Sequence, residues 1–273
     1  MGTSSWGIEN QPLKFAQNVS RKISGSTVAM STEFYFAALI IILFAYLIRG
    51  ITGFGSGLIA VPLLAHFLPL TFVVPLILIL DFLASVTLTR RTKLQVQWKE
   101  IGLLLPSTII GMMIGAFLLV NLPREPLLVG LGSFVIIFGL RYLFNVHSEK
   151  PISRWWSAPT GLTGGLIGAM FGTGGPPYVI YISHRLHDKT QIRGTLSGLF
   201  MIDGAFRIVI FLTIGLFFQD NLITSLLLAL PLVGLGLYLG NKVHLGITHR
   251  QQIGVIGAVL LLSGASLIWK AWS

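Results

Sequence analysis

Apolar residues fill this chain in long continuous runs, with neither the three-to-four spacing of a half-buried helix nor the alternation of a strand. Six runs, 72–89, 101–120, 126–143, 194–218, 222–239 and 253–269, are long enough to cross a hydrocarbon core of about 30 Å as helix. Two further apolar stretches are interrupted. As one helix, 34–67 would measure roughly 50 Å, too long for a bilayer, whereas 34–48 alone gives roughly 22 Å, too short. Between Arg49 and Pro62 lie Gly50, Gly53, Gly55 and Gly57, with Thr52 and Ser56 among them. Glycine frees the backbone to turn and Pro62 lacks a helical donor, so the pattern predicts a broken helix. The stretch 158–183 repeats the device, with its interruption at 172–177.

Composition places this pattern in a membrane. Of 273 residues, 53% are hydrophobic and 10% charged, with mean hydropathy +0.82, whereas a soluble domain carries about 25% charged residues. The net charge of +10 resides in Lys and Arg between the apolar runs, where basic residues set topology, and nucleic-acid binding is not expected. The absence of cysteine excludes a disulfide framework and thiolate metal sites. Residues 1–32 are polar and no small-residue cleavage site closely follows the first apolar run, so they are expected to remain as a tail.

Basic connections mark the cytoplasmic face. Arg90, Arg91, Lys93 and Lys99 share one connection, Arg141, Lys150 and Arg154 a second, Arg185, Lys189 and Arg193 a third, Lys242 and Arg250 a fourth. The connections near Pro69, Arg124 and Gln219 are nearly free of Lys and Arg and are expected outside. Both flanks of 158–183 then lie inside, making it a re-entrant hairpin, while 34–67 should enter and leave from outside. Lys14, Arg21 and Lys22 oppose an outside tail.

A repeat organises the whole. Pro106, Gly111, Gly115, Gly132 and Gly139 recur at one constant offset as Pro231, Gly236, Gly240, Gly257 and Gly264, and with small gaps Asp81 matches Asp203. A hairpin plus three spans is an odd number of crossings, so the second copy should be inverted. The expected fold is thus an all-α polytopic membrane protein of two inverted repeats, 33–148 and 149–273, each a broken hairpin plus three transmembrane helices, a recurring plan of secondary transporters.

The run Gly53, Phe54, Gly55, Ser56, Gly57 with Val61 and Pro62, and the run from Gly168 through Phe171, Gly172, Thr173, Gly174, Gly175 and Pro176 to Pro177, resemble the TauE/SafE family of sulfite and organosulfonate exporters. The resemblance covers roughly residues 34–270. Members often carry a triple glycine where this chain has Gly55, Ser56 and Gly57. The resemblance implies transport, commonly export, of small sulfur-containing anions across the cell membrane by a multi-pass protein, without a cofactor.

Broken helices expose backbone N–H groups and a positive dipole end, which suit an oxyanion. The candidate substrate site therefore comprises Thr52, Gly53, Gly55, Ser56 and Gly57 facing Gly172, Thr173, Gly174, Gly175 and Pro176, with Arg207 as a further anion ligand. Small residues that only let helices pack are the bland alternative. Charges within spans are costly, which singles out Asp81, Asp203 and Arg49 for proton coupling or charge pairing. Asp203 and Arg207 stand four apart, at ion-pair spacing, whereas Asp81 has Ser85 at that position.

Two other classes compete. Paired aspartates could serve an intramembrane aspartyl protease, although the Gly-x-Gly-Asp pattern is missing around Asp81 and Asp203. A non-transporting scaffold or sensor would bind ligand without flux. The histidines, including His184 and His187, form no metal pattern, and Trp98, Trp155, Trp156, Trp269 and Trp272 suit an interfacial aromatic belt. The expected partners are a small anion, protons as a candidate coupling ion, and the lipid bilayer.

Overall fold

A computed structural model describes residues 32–52, 55–91, 96–144, 152–186, 188–243 and 249–272. Its described elements are helical. The first half runs α1 (Thr32–Thr52), α2 (Ser56–Leu64), α3 (Leu70–Arg91), α4 (Trp98–Asn121) and α5 (Arg124–Leu143). After a short 3-10 turn at Arg154–Trp156, the second half runs α6 (Ser157–Phe171), α7 (Gly175–Arg185), α8 (Lys189–Thr213), α9 (Leu222–Val243) and α10 (His249–Trp272). Each half is therefore a broken pair followed by three longer helices. Among the described residues, Leu70–Thr87, Trp98–Asn121, Thr190–Thr213 and Leu222–Lys242 are long and apolar enough to cross a membrane, and Phe36–Ile51 and Gly257–Trp272 are shorter apolar helices.

Three boundaries differ from the hydropathy pattern for physical reasons. Pro62 does not close the first break: it lies inside α2, and the chain turns instead at Gly55, whose φ is 93°. In the second break Gly172 turns with φ 67°, and prolines 176 and 177 sit in the first turn of α7, where a missing N–H costs nothing. The span expected to reach residue 218 ends at Thr213. There Gly215 (φ 82°) donates to the Leu212 carbonyl at 3.2 Å and Leu216 donates to Phe211 at 3.0 Å, the paired bonds of a Schellman cap.

The two halves interlock. The most extensive helix pairings are α4 on α6, α5 on α10, α1 on α9 and α3 on α8, so every one of them joins one half to the other. Small residues make these approaches possible. A Cβ on Gly111 or Gly115 of α4 would lie 2.2 or 2.3 Å from the Leu162 or Leu166 carbonyl of α6, and one on Gly240 of α9 2.2 Å from the Leu47 carbonyl of α1. Gly132 of α5 and Gly264 of α10 each face the other's carbonyl, 2.9 Å from an added Cβ. These are the glycines of the constant-offset repeat, and their packing role accounts for that periodicity.

The core is built around α2, which is apolar on all sides and buried at every residue except Leu63. Residues such as Ile110, Met113, Phe117, Ile137, Leu227 and Leu262 face outward, as a lipid-facing rim requires. The five tryptophans expected at interfaces are all exposed, from 59% to 87%.

Candidate functional site

The two breaks meet. Ser56 opens α2 immediately after Gly55, and Gly175 opens α7 shortly after Gly172. A Cβ on Gly57 would lie 2.4 Å from the Gly172 carbonyl, so the two interruptions are in direct contact. The first N–H groups of a helix have no intrahelical acceptor and carry its positive dipole end. Two such ends therefore border one cavity of about 50 Å³, lined by Gly55, Gly57, Gly172, Thr173, Gly174, Gly175 and Pro176. A water needs roughly 10–15 Å³ on this measure, so the space suits roughly three to five non-hydrogen atoms, the size of a small oxyanion.

Two buried charge clusters flank the cavity. In the first half, α1 brings Tyr46 and Arg49 to the last turns before the break, and α3 brings Asp81 and, one turn on, Ser85. Arg49 Nη1 pairs with Asp81 Oδ1 at 2.6 Å and donates to Ser56 Oγ at 2.8 Å. Its Nη2 donates to Ser85 Oγ at 2.7 Å and to the Asp81 carbonyl at 3.3 Å. Asp81 Oδ1 also accepts from Tyr46 OH at 2.5 Å and from Ser56 Oγ at 2.6 Å. Both terminal nitrogens of Arg49 are thus committed to protein acceptors.

The second half builds the same Tyr-Asp-Arg combination from different elements. Arg207 Nη2 pairs with Asp203 Oδ2 at 2.5 Å along α8, its Nη1 donates to the Gly168 carbonyl at 2.6 Å, and Tyr178 OH of α7 reaches Asp203 Oδ1 at 3.1 Å. The same hydroxyl lies 3.4 Å from Thr108 Oγ1 of α4. Here Arg207 comes from the helix that carries the aspartate, whereas in the first half Arg49 crosses from α1 and meets Ser85, the residue in the corresponding place.

The clusters differ in their spare capacity. Arg207 Nε and Thr173 Oγ1 are buried with no hydrogen-bond partner, and both residues line the cavity. Unpaired buried donors are rare because each forgoes its hydration without replacement. The Asp81 side chain is 23% exposed, against 1% for Asp203.

Of the residues singled out by sequence, Gly55, Ser56, Gly57, Gly172, Thr173, Gly174, Gly175, Pro176, Arg207, Asp81, Asp203 and Arg49 all line or border this cavity. Gly53 and the side chain of Thr52 lie outside the described residues. The sequence pattern missed Tyr46, Tyr178 and Thr108. The available signal was weak: a tyrosine within an apolar run needs a partner for its hydroxyl. Among the described residues no group of three or more His, Asp or Glu is placed to hold a metal ion.

A family profile described as "Sulfite exporter TauE/SafE" matches residues 38–267, from the first turns of α1 to the last turns of α10 and thus across both clusters. The chain belongs to the TauE/SafE family. It is also 28% identical over 199 residues, 72% of this chain and 83% of the relative, to a protein named "Probable inner membrane transporter protein TsaS" from Comamonas testosteroni. No solved structure matches significantly. TauE/SafE members are membrane transporters, so this chain is a membrane-integral transporter and not an enzyme. The protease reading of Asp81 and Asp203 is thereby overturned, and each carboxylate has its own arginine instead of sharing a proton with the other.

Proposed function

We propose that the protein carries a small sulfur-containing oxyanion or organosulfonate out of the cell, binding it between the two breaks and exposing it alternately to either face. The observation that carries this reading is the pair of unpartnered buried donors, Thr173 Oγ1 and Arg207 Nε, beside two helix N-termini. An anion that filled the cavity would satisfy both and would meet the positive ends of α2 and α7. Sulfur as the central atom comes from the family's description, and placement in the inner membrane from the relative's name.

Alternating access follows from an inverted arrangement of 33–148 and 149–273, for which the reciprocal helix pairing and the matched left-handed glycines, Gly55 and Gly172, provide support. Asp81 is the candidate proton site: both aspartates line the cavity, but the Asp81 side chain is 23% exposed and that of Asp203 1%.

The test is counterflow into liposomes holding the purified protein, with sulfite, thiosulfate, sulfoacetate and simple carboxylates offered with and without a pH gradient. Accelerated exchange of a sulfur oxyanion or sulfonate, abolished by Arg207→Gln, is expected. If all of the sulfur anions move no faster than in empty liposomes while folded protein is present, the reading is wrong.

A further inference from the structure

A third polar cluster lies away from the cavity, where α7 ends. Glu100, in the first turn of α4, is 5% exposed although it carries a carboxylate. Its Oε2 accepts from Tyr181 OH at 2.9 Å and its Oε1 from Arg185 Nη2 at 3.2 Å, both from α7, and Arg154 Nε lies 3.6 Å from Oε1. Arg185 Nη1 also donates to the Ile152 carbonyl at 3.1 Å. A carboxylate so buried is stable only while its donors stay in place, and removing them leaves an uncompensated charge.

The place of this cluster gives it a use. Tyr178, one turn before Tyr181, lines the cavity. Between the two levels, Tyr178, Tyr181 and Ile182 of α7 pack with Ile101 and Leu104 of α4 and Leu196 and Leu199 of α8 into a separate apolar cluster. This plug stands between the cavity and the face that carries Arg154 and Arg185, the face the basic connections assign to the cytoplasm. The α4 and α8 walls are tied to each other, since the Gln97 N–H donates to Thr195 Oγ1 at 3.0 Å. Glu100 joins α7 to that frame.

The far end of the molecule is closed differently. At the constant offset from Glu100 stands Ser225, and the wall there is apolar: Ala38, Ile42, Leu64, Leu68, Phe72 and Ser225 border a void of about 20 Å³. One end is closed around a buried carboxylate and its donors, the other by apolar contact together with Lys270 donating to the His66 carbonyl and Arg124 to the Ala65 carbonyl at 3.5 Å, so the two ends are separable by mutation.

We infer that Glu100 is a positioning residue of the inner gate: by holding Tyr181 and Arg185 it keeps α7 seated and the Tyr181/Leu199 plug shut, and release of this clamp opens the cavity toward the Arg185 face. Water can replace these donors once α7 swings, so the clamp is reversible. The inference rests on the alternating-access reading above but acts at residues remote from the proposed anion site.

The chain contains no cysteine, so single reporters can be introduced without background. Leu199→Cys, fully buried in the plug, and Leu64→Cys, fully buried at the other end, are labelled in membrane vesicles of both orientations with a membrane-impermeant maleimide. Glu100→Gln should raise the labelling rate of the Leu199 reporter at least tenfold from the Arg185 face and leave the Leu64 reporter unchanged or slower. An unchanged Leu199 rate in folded protein overturns the clamp, as does an equal rise at both reporters, which would mean general loosening. Should Glu100→Gln fail to fold, Arg185→Gln is read by the same criterion. Anion binding by the unmutated protein is measured in parallel. If no anion binds while the plug opens as stated, the substrate reading fails and the clamp stands; if binding is intact and the plug stays closed, the clamp alone fails.

Discussion

Gly57 and the carbonyl of Gly172 are in contact between the two breaks: a Cβ added at Gly57 would lie 2.4 Å from that oxygen. The contact is backbone on both sides, so no side chain can rotate away to relieve it. Gly57→Ala should therefore push the two breaks apart and destabilise the fold by about 3 kcal/mol or more, the upper range for overpacking. Gly102→Ala, where nothing lies within 4 Å, is the control and should be neutral or slightly stabilising in its helix. Thermal melting of both variants in one detergent checks the contrast.

The left-handed glycines at the breaks should separate by neighbourhood. At Gly55 (φ 93°) an added Cβ meets nothing within 4 Å, so alanine there suffers only the backbone penalty of roughly 1–2 kcal/mol. At Gly172 (φ 67°) the same Cβ lies 3.3 Å from Val61 Cγ2. Gly172→Ala should melt at a lower temperature than Gly55→Ala, and both should still yield folded protein. Gly174 is no third member of this series: its φ is ordinary, but a Cβ would lie 2.4 Å from the Gly164 carbonyl, so its alanine variant tests packing and not anion binding.

Thr173→Val offers a test in which stability and binding move in opposite directions. The Thr173 hydroxyl is buried without a partner, and exchanging it for a methyl of similar shape removes an unsatisfied polar group. The empty protein should be unchanged or more stable on melting. Anion affinity should fall roughly tenfold to a hundredfold, because a hydrogen bond to a charged group contributes about 1.5–3 kcal/mol. Isothermal titration with the anion identified by counterflow reads the second effect. A variant less stable and equal in affinity would assign Thr173 to packing.

These residues show which parts of the molecule hydropathy and spacing can reveal. The long apolar runs, the two breaks and the glycine repeat depend on local chain chemistry, and α3, α4, α9 and both helix interruptions stand close to where those patterns put them. The pair of Asp203 and Arg207 was visible because both sit on one turn of one helix. Arg49 with Asp81 was not, since 32 residues separate them and only the folding of α1 against α3 joins them. Tyr46 and Tyr178 were hidden for the same reason: a single polar residue in an apolar run shows its need for a partner but not where that partner lies; Glu100, beside Lys99 in a polar connection, looked like an ordinary solvated charge. Pro62 misled in the opposite sense, because a proline mark suggests an ending, while the burial of α2 on all sides holds it inside the helix.

Asp81 carries the last prediction, on the proposed coupling to protons. It stands at the cavity with 23% of its side chain exposed and takes Arg49, Tyr46 and Ser56 on a single oxygen, Oδ1. Protonating Asp81 would remove a negative charge from the cavity and leave the Arg49 charge uncompensated, and both changes favour an anion. Anion binding should therefore strengthen as pH falls and should itself draw in a proton, because linkage is reciprocal. Asp81→Asn fixes the neutral form: its affinity should match that of the unmutated protein at low pH and lose the dependence. Asp203, at 1% exposure and held by Arg207 and Tyr178, should leave the slope in place when changed to Asn, although overall affinity shifts as Arg207 loses its partner. Titrations of both variants at a series of pH values, with proton uptake followed by a buffer-dye signal, check the assignment. If Asp81→Asn keeps the full pH dependence, the proton site is not Asp81.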